Sequence, residues 1–294
     1  MKKPVFEGSA TAIITPFRKD GIDYERMGKL LDFQADNGTA AIVIAGTTGE
    51  NATLEIHEYE SLVDFSISHV AGKMKMIIGI GGNNTAQCLR KAEIAESYGA
   101  DGLLMCPPYY NKTTQQGLIS HFCHIADRST VPLILYNVPS RTSIGITAET
   151  YKKLSVHPNI NGVKEASGDF SLISRIFNEC REDLNVWSGN DDNTIPMMAM
   201  GAKGVISVAS NVLPDVVAKL CALCSSHEYR AAAALYQMYA EFFRLLFIET
   251  NPIPVKAALQ LMDLDSGALR LPLIEISPEH HAMLKNCMAE LGLI

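Results

Sequence analysis

The chain has 294 residues, 47% of them hydrophobic, with a mean hydropathy of +0.08 and a formal net charge of −7 from 25 basic and 32 acidic residues. That balance, spread without long charge runs, argues against a nucleic-acid-binding face and against a polybasic membrane patch. The longest apolar runs, such as "AAIVIAG" and "PLILY", fall far short of the ~20 residues that a membrane span needs, and Pro4 and Glu7 interrupt anything resembling a signal-peptide core in "MKKPVFEGSATAIITPF".

In chain order the pattern alternates short apolar runs with longer amphipathic ones. Strands are expected at "ATAIITPF", "AAIVIAGT", "MKMIIGIG", "DGLLMCPP", "VPLILYNVP", "INGVKEAS", "LNVWSGND" and "KGVISVAS". Each is a nearly continuous apolar run rich in Ile and Val, as expected of parallel strands covered on both faces. Between them, Met27, Leu30 and Leu31, then Leu62 and Phe65, then Leu118, Phe122 and Ile125 recur at helical spacing. Asn84 with Gln87, and Thr53 with the acidic turn of Glu55 and Glu58, read as helix N-caps. Past Ser210 only helices are expected, in "VVAKLCALC", "YRAAAALYQMYAEFFRLLFIE", "PVKAALQLM" and "EHHAMLKNCMAEL". Eight strand–helix units predict a closed (β/α)8 TIM barrel over residues 1–225, favoured over an open doubly wound sheet, with a C-terminal helical extension over 226–294.

The seven cysteines are odd in number and scattered; Cys221 and Cys224 form a C-x-x-C on a helical apolar pattern with no second pair for zinc, so they read as buried core thiols. A reducing cytoplasm is the compartment expected. None of the eight histidines ends a strand, which speaks against a metal centre. "GTTGE" lacks the G-K-[ST] close of a P-loop and "GIGGNN" is not a dinucleotide fingerprint, so no metal and no organic cofactor is expected.

In a barrel the reactive groups sit at the C-terminal ends of the strands. Those ends carry Thr47 and Thr48, Tyr109 and Tyr110, Tyr136, Lys164, Gly189 with Asp191, and Ile206. Of fifteen lysines, Lys164 alone falls inside a strand near its C-terminal end; Lys203 precedes a strand and Lys256 belongs to the helical tail. A lysine desolvated by apolar walls loses its proton more readily and becomes a nucleophile that forms a Schiff base with a ketone. The competing reading is a structural ion pair with Glu165, but adjacent strand residues point to opposite faces. Tyr136 and Thr47 offer the proton transfers that such an intermediate needs, "GTTGE" a cradle for a carboxylate, and Arg141 a bidentate grip on a second one. Taken singly, a barrel tyrosine also reads as packed core and a loop arginine as solvated surface.

"GTTGEN", "PPYYNK", "YNVPSRT", "GVKEASGD", "WSGNDD" and "NPIPVK" resemble, in order and over essentially the whole chain, the pyruvate-dependent class I aldolases, and among them the dihydrodipicolinate synthase family. The resemblance implies a pyruvate Schiff base on Lys164 whose enamine attacks aspartate semialdehyde. It implies a proton relay of Tyr136, Thr47 and Tyr110, the last reaching into a neighbouring subunit's site. Thr48 and the backbone at Ile206 would bind pyruvate, Arg141 the semialdehyde carboxylate, and Gly189 would line the acceptor pocket. The implied assembly is a homotetramer built as a dimer of dimers. Sister families, the N-acetylneuraminate lyases and keto-deoxy sugar acid aldolases, share the lysine and tyrosine but generally lack an arginine at the position of Arg141. The chain departs from the family at Asn51, where serine is common, and at Ile56, Tyr59 and Gln87. Those last three, with Asn83 and Tyr109, would form the family's allosteric pocket for lysine. Losing histidines at the first two and an acid at Gln87 implies little or no feedback inhibition by lysine. A non-catalytic barrel that senses a small acid is the remaining reading; it would leave Lys164 unmodified by pyruvate.

Overall fold

In the computed structural model, which describes residues 2–294, the elements run β1 (Gly8–Ala12), β2 (Phe17–Arg18), β3 (Gly21–Ile22), α1 (Tyr24–Asp36), β4 (Ala41–Ile44), α2 (Ile56–Val70), β5 (Lys75–Gly79), α3 (Thr85–Ser97), β6 (Gly102–Met105), α4 (Gln115–Ala126) and β7 (Leu133–Asn137). They continue through α5 (Pro139–Thr142), α6 (Ala148–Ser155), β8 (Ile160–Glu165), α7 (Phe170–Cys180), β9 (Asn185–Ser188), α8 (Thr194–Ala199), β10 (Gly204–Ser207), α9 (Pro214–Ser225), α10 (Tyr229–Leu245), α11 (Ile253–Leu261) and α12 (Pro278–Glu290). The eight strands other than the β2–β3 hairpin close into one parallel barrel in the order β1-β10-β9-β8-β7-β6-β5-β4. All eight expected strands are present, and the fold is a TIM barrel followed by helices alone. The hairpin escaped the sequence reading because its strands are two residues long, too short to show a period.

Alternation along each strand splits the apolar residues into two bodies. Phe6, Ala10, Val43, Ile77, Leu104, Ile134, Tyr136, Trp187 and Ile206 fill the barrel interior. A larger shell, including Ile42, Ile44, Ile78, Leu103, Leu135 and Val163 from the opposite strand faces, packs under the helices. Small residues at Ala10, Ala12 and Ala41 leave room inside for the Phe6 and Trp187 rings, stacked 5.0 Å apart. Gly162 is part of that fit, since a Cβ there would come within 2.5 Å of the Trp187 ring.

Helix ends follow local chemistry. Asn84 caps α3 by accepting from the Ala86 and Gln87 amides. At α2 the cap is Glu55, reciprocated by Glu58 in a capping box, and not Thr53, which sits in a preceding single turn and donates to Glu50 O. The two acids form the box by themselves, a variant that a search for Ser, Thr, Asp or Asn overlooks. Cys221 and Cys224 lie buried and unpaired on α9. Lys203 lies at the foot of β10 and pairs with Glu7, away from the strand ends that carry Lys164. Among the described residues no helix is long and apolar enough to cross a membrane.

The extension is locked to the barrel mouth by charge. Lys256 on α11 is fully buried and donates to Glu50 at 2.7 Å and to Thr15 O at 2.9 Å, with its ammonium 4.4 Å from the centre of the Phe17 ring. Glu50 also accepts the Arg270 amide, and the Arg270 guanidinium grips Glu58 while its carbon lies 4.2 Å from the centre of the Phe17 ring. Removing one partner of such a buried pair leaves an uncompensated charge. Lys256→Met is therefore expected to cost about 3–5 kcal/mol in chemical denaturation, with the double variant Glu50→Gln/Lys256→Met recovering part of the loss; a single variant as stable as the wild type would refute the pairing.

Candidate active site

β8 sets the chemistry. Its register with β7 shifts between Leu133/Ile134: Leu133 faces Ile160 but Ile134 faces Gly162, so β8 accommodates one extra residue at Asn161. From there Tyr136 lies beside Lys164, and Lys164 beside Trp187 on the other flank. Without the extra residue Val163 would stand beside Tyr136, because a slip of one exchanges the two faces of a strand. Asn161 is held in place from below, its amide donating to Lys3 O and its oxygen accepting from Asn185.

Lys164 is 5% exposed and its Nζ stands 4.4 Å from the centre of the Tyr136 ring. Burial lowers its pKa to about 8, opposed by the nearby Asp191 carboxylate and assisted by the Arg141 guanidinium. Glu165, the sequence neighbour, points away as alternation requires: it accepts from Asn137 Nδ2, the Tyr151 hydroxyl and the Ser167 amide on the far side of the strand. Asp191 faces the site, yet it is tied down by the Ser207 hydroxyl and the Val208 and Ala209 amides. Burial pushes its pKa up, while those bonds and Lys164 pull it back. The sequence placed Asp191 at a strand end but assigned it nothing; the signal available was its position two residues after Gly189.

Tyr136 is almost fully buried, and burial raises its phenol to about 12 against the lowering influence of Arg141 and the Thr47 hydroxyl. A phenol with that pKa is held protonated and serves first as a donor. Thr47 is exposed and Thr48 buried in the turn after β4. Thr48 Oγ1 accepts from Asn251 Nδ2 at 2.9 Å, and the Asn251 carbonyl accepts from Arg141 at 3.0 Å. One loop residue of the extension thus bridges two candidate substrate-binding groups. Gly189 closes the wall above β9: a Cβ there would sit 2.6 Å from Ala166 Cβ and 3.1 Å from Lys164 Cγ, so only glycine leaves the lysine stem room. Ile206 is fully buried in the barrel interior, in the same apolar body as Tyr136 and Trp187, and pairs with Ala10 of β1.

A cavity of about 700 Å³ is lined by Thr47, Tyr136, Arg141 and Asn251 and continues past Asn51, Ile56, Asn83, Gln87 and Tyr109; Lys164, Thr48, Gly189, Asp191 and Ile206 are not among its lining residues. Tyr59 lies behind that wall, fully buried, its hydroxyl donating to Lys91 O. Tyr110 stands apart. It is 94% exposed and in the left-handed region at φ 67°, a costly backbone conformation for an aromatic residue. Within one chain it touches none of the groups around Lys164.

The model of the dihydrodipicolinate synthetase family matches residues 5–291. A 4-hydroxy-tetrahydrodipicolinate synthase of Thermoanaerobacter pseudethanolicus is 44% identical over 292 residues, covering 99% of this chain and 98% of that protein. The crystal structure of dihydrodipicolinate synthase from Aquifex aeolicus superposes with a TM-score of 0.96 at 44% identity, covering 98% of this chain and 99% of the other. A chloride-inhibited dihydrodipicolinate synthase from Acinetobacter baumannii, complexed with pyruvate, gives the same TM-score at 37% identity over 98% and 99% of the two chains. With matched sequence and matched barrel over almost its full length, the chain belongs to the dihydrodipicolinate synthetase family.

Proposed function

We propose that the protein catalyses the 4-hydroxy-tetrahydrodipicolinate synthase reaction, condensing pyruvate with aspartate semialdehyde through a Schiff base on Lys164. The protein is a lyase of the class I pyruvate-aldolase type. One observation carries the mechanism: an amine with its pKa brought down to about 8 by burial, set against a phenol at the C-terminal mouth of a barrel. The close relatives named for this activity, and the one complexed with pyruvate, support the choice of substrates.

Lys164 in its free-base form attacks the C2 carbonyl of pyruvate. The carbinolamine loses water once its oxygen is protonated, and Tyr136 holds that proton. The resulting imine loses a proton from C3 to give an enamine, whose carbon attacks the aldehyde of the second substrate and forms the new C–C bond. The amine of the adduct then closes on C2 and displaces Lys164, which returns to its starting state. Tyr136 and Thr47 relay the protons, with Tyr110 supplied by a neighbouring subunit; its near-complete exposure and strained backbone support that placement. Thr48 and the backbone at Ile206 take the pyruvate carboxylate, Gly189 lines the acceptor pocket, and Arg141 takes the acceptor carboxylate. A guanidinium here suits an acidic aldehyde better than a polyhydroxylated sugar acid. The assembly proposed is a homotetramer of two tight dimers in the cytoplasm, a compartment that suits seven unpaired thiols.

Borohydride trapping with pyruvate is expected to label the peptide that contains Lys164. Lys164→Ala should lose the label and at least about a thousandfold in turnover while keeping its fold; labelling at another residue would sink the mechanism. Arg141→Ala should raise KM for the semialdehyde by roughly 10- to 150-fold, the equivalent of losing a charge-assisted contact of about 1.5–3 kcal/mol, and leave KM for pyruvate nearly unchanged. Equal losses for both substrates would make Arg141 a structural residue.

The rate of imine formation should rise through about pH 8 as Lys164 loses its proton. The Asp191 carboxylate stabilises the ammonium form, so Asp191→Asn should move that midpoint to lower pH. Glu165→Gln, on the far side of the strand, should leave it in place. A pH–rate profile of trapping checks both, and a midpoint unmoved in Asp191→Asn would remove Asp191 from the site's electrostatics.

A further inference from the structure

Thr48 holds a hydroxyl whose proton is unspent. The residue is 2% exposed, and its Oγ1 accepts from Asn251 Nδ2 at 2.9 Å. Among the described residues no oxygen accepts the Thr48 proton in return. A hydroxyl has one proton to give, and a partner that can only donate leaves it free. Asn251 is itself buried, on the loop that leads into α11, and its Oδ1 has no hydrogen-bond partner there. Leaving a buried acceptor unpaired is costly, and such costs are expected where a residue is kept for a functional contact. The Asn251 backbone carbonyl takes Arg141, so its side chain and its main chain serve different groups.

We propose that Asn251 is a positioning residue for the keto acid: its side-chain N–H group fixes the polarity of the Thr48 hydroxyl, which then donates its proton to the substrate carboxylate. The inference rests on the assignment of Thr48 to pyruvate and adds the direction of the hydrogen bond, which the identity of Thr48 alone leaves open. An acceptor in place of the Asn251 amide nitrogen would take the Thr48 proton for itself. The hydroxyl would then turn only lone pairs toward the substrate, and a carboxylate has no proton to offer them. The side chain therefore acts on pyruvate, whereas Arg141 is held by a backbone carbonyl that substitution of the side chain retains.

Steady-state KM for each substrate, measured on the full-length enzyme, reads the effect. Asn251→Ala is expected to raise KM for pyruvate about 3- to 10-fold and to leave KM for the semialdehyde within about twofold. Asn251→Asp, the closest isostere, should be worse for pyruvate than Asn251→Ala by at least about tenfold, because its carboxylate captures the Thr48 proton. A role in filling space predicts the opposite order. Thr48→Val should itself raise KM for pyruvate at least about tenfold, and in that background Asn251→Ala should add less than about twofold. There the excess of Asn251→Asp over Asn251→Ala should shrink to what charge repulsion alone supplies. Equal pyruvate KM in Asn251→Asp and Asn251→Ala, a full Asn251→Ala penalty persisting in Thr48→Val, or equal losses for both substrates would each overturn the inference. An unchanged pyruvate KM in Thr48→Val would overturn the assignment of Thr48 and this inference with it. Melting curves identify a variant that misfolds; Asn251→Ser carries the same expectation as Asn251→Ala and replaces it in that case. Borohydride trapping at saturating pyruvate reads the Lys164 chemistry separately, so failure of the Schiff base and failure of this contact are distinguishable.

Discussion

The site depends on keeping one amine out of water without giving it a close counter-charge. A lysine paired directly with a carboxylate stays protonated and inert, whereas a fully solvated one is protonated at neutral pH by its ordinary pKa. The barrel avoids both outcomes at Lys164. Its strand neighbours Tyr136 and Trp187 present aromatic rings, the adjacent Glu165 is turned to the opposite face, and Asp191 is held by three hydrogen bonds of its own. Asp191 moderates the loss of the proton without closing on the amine. An amine near pKa 8 keeps a useful fraction of free base and can still be released as a leaving group.

Three buried or half-buried lysines show how the same side chain is put to different ends by its surroundings. Lys256 is completely enclosed and fully partnered, with a carboxylate, a carbonyl and an aromatic face, and it fastens α11 to the turn after β4. Lys164 has an aromatic face and a carboxylate kept at a distance, which favours reactivity. Lys91 has an aromatic face and an amide oxygen, and it joins α3 to the turn that precedes α2. Burial lowers the pKa of all three; what differs is the charge brought to meet them.

The extension contributes to the site as well as to stability. Asn251, at the loop before α11, reaches both Thr48 and Arg141, while Lys256 and Arg270 hold Glu50, which follows the "GTTG" turn. The two groups assigned to bind carboxylates are therefore positioned from the same C-terminal segment. Loosening that segment would disturb both substrates together, whereas changes at the guanidinium itself act on one.

Much of this was legible in the chain. Eight apolar runs alternating with helical patterns specify the barrel because buried parallel strands need apolar residues on both faces, and the strand ends then name Thr47, Tyr136 and Lys164 as neighbours. Glu165 was read correctly as facing away because alternation in a strand is a local property. What the sequence could not express was register and long-range charge. The extra residue at Asn161 that brings Lys164 level with Tyr136, the approach of Asp191, the Lys256–Glu50 pair and the Lys91–Asn51 contact all join residues distant along the chain. Their pairing is decided by how the closed barrel and its surrounding helices pack, and no period or spacing in the sequence encodes it.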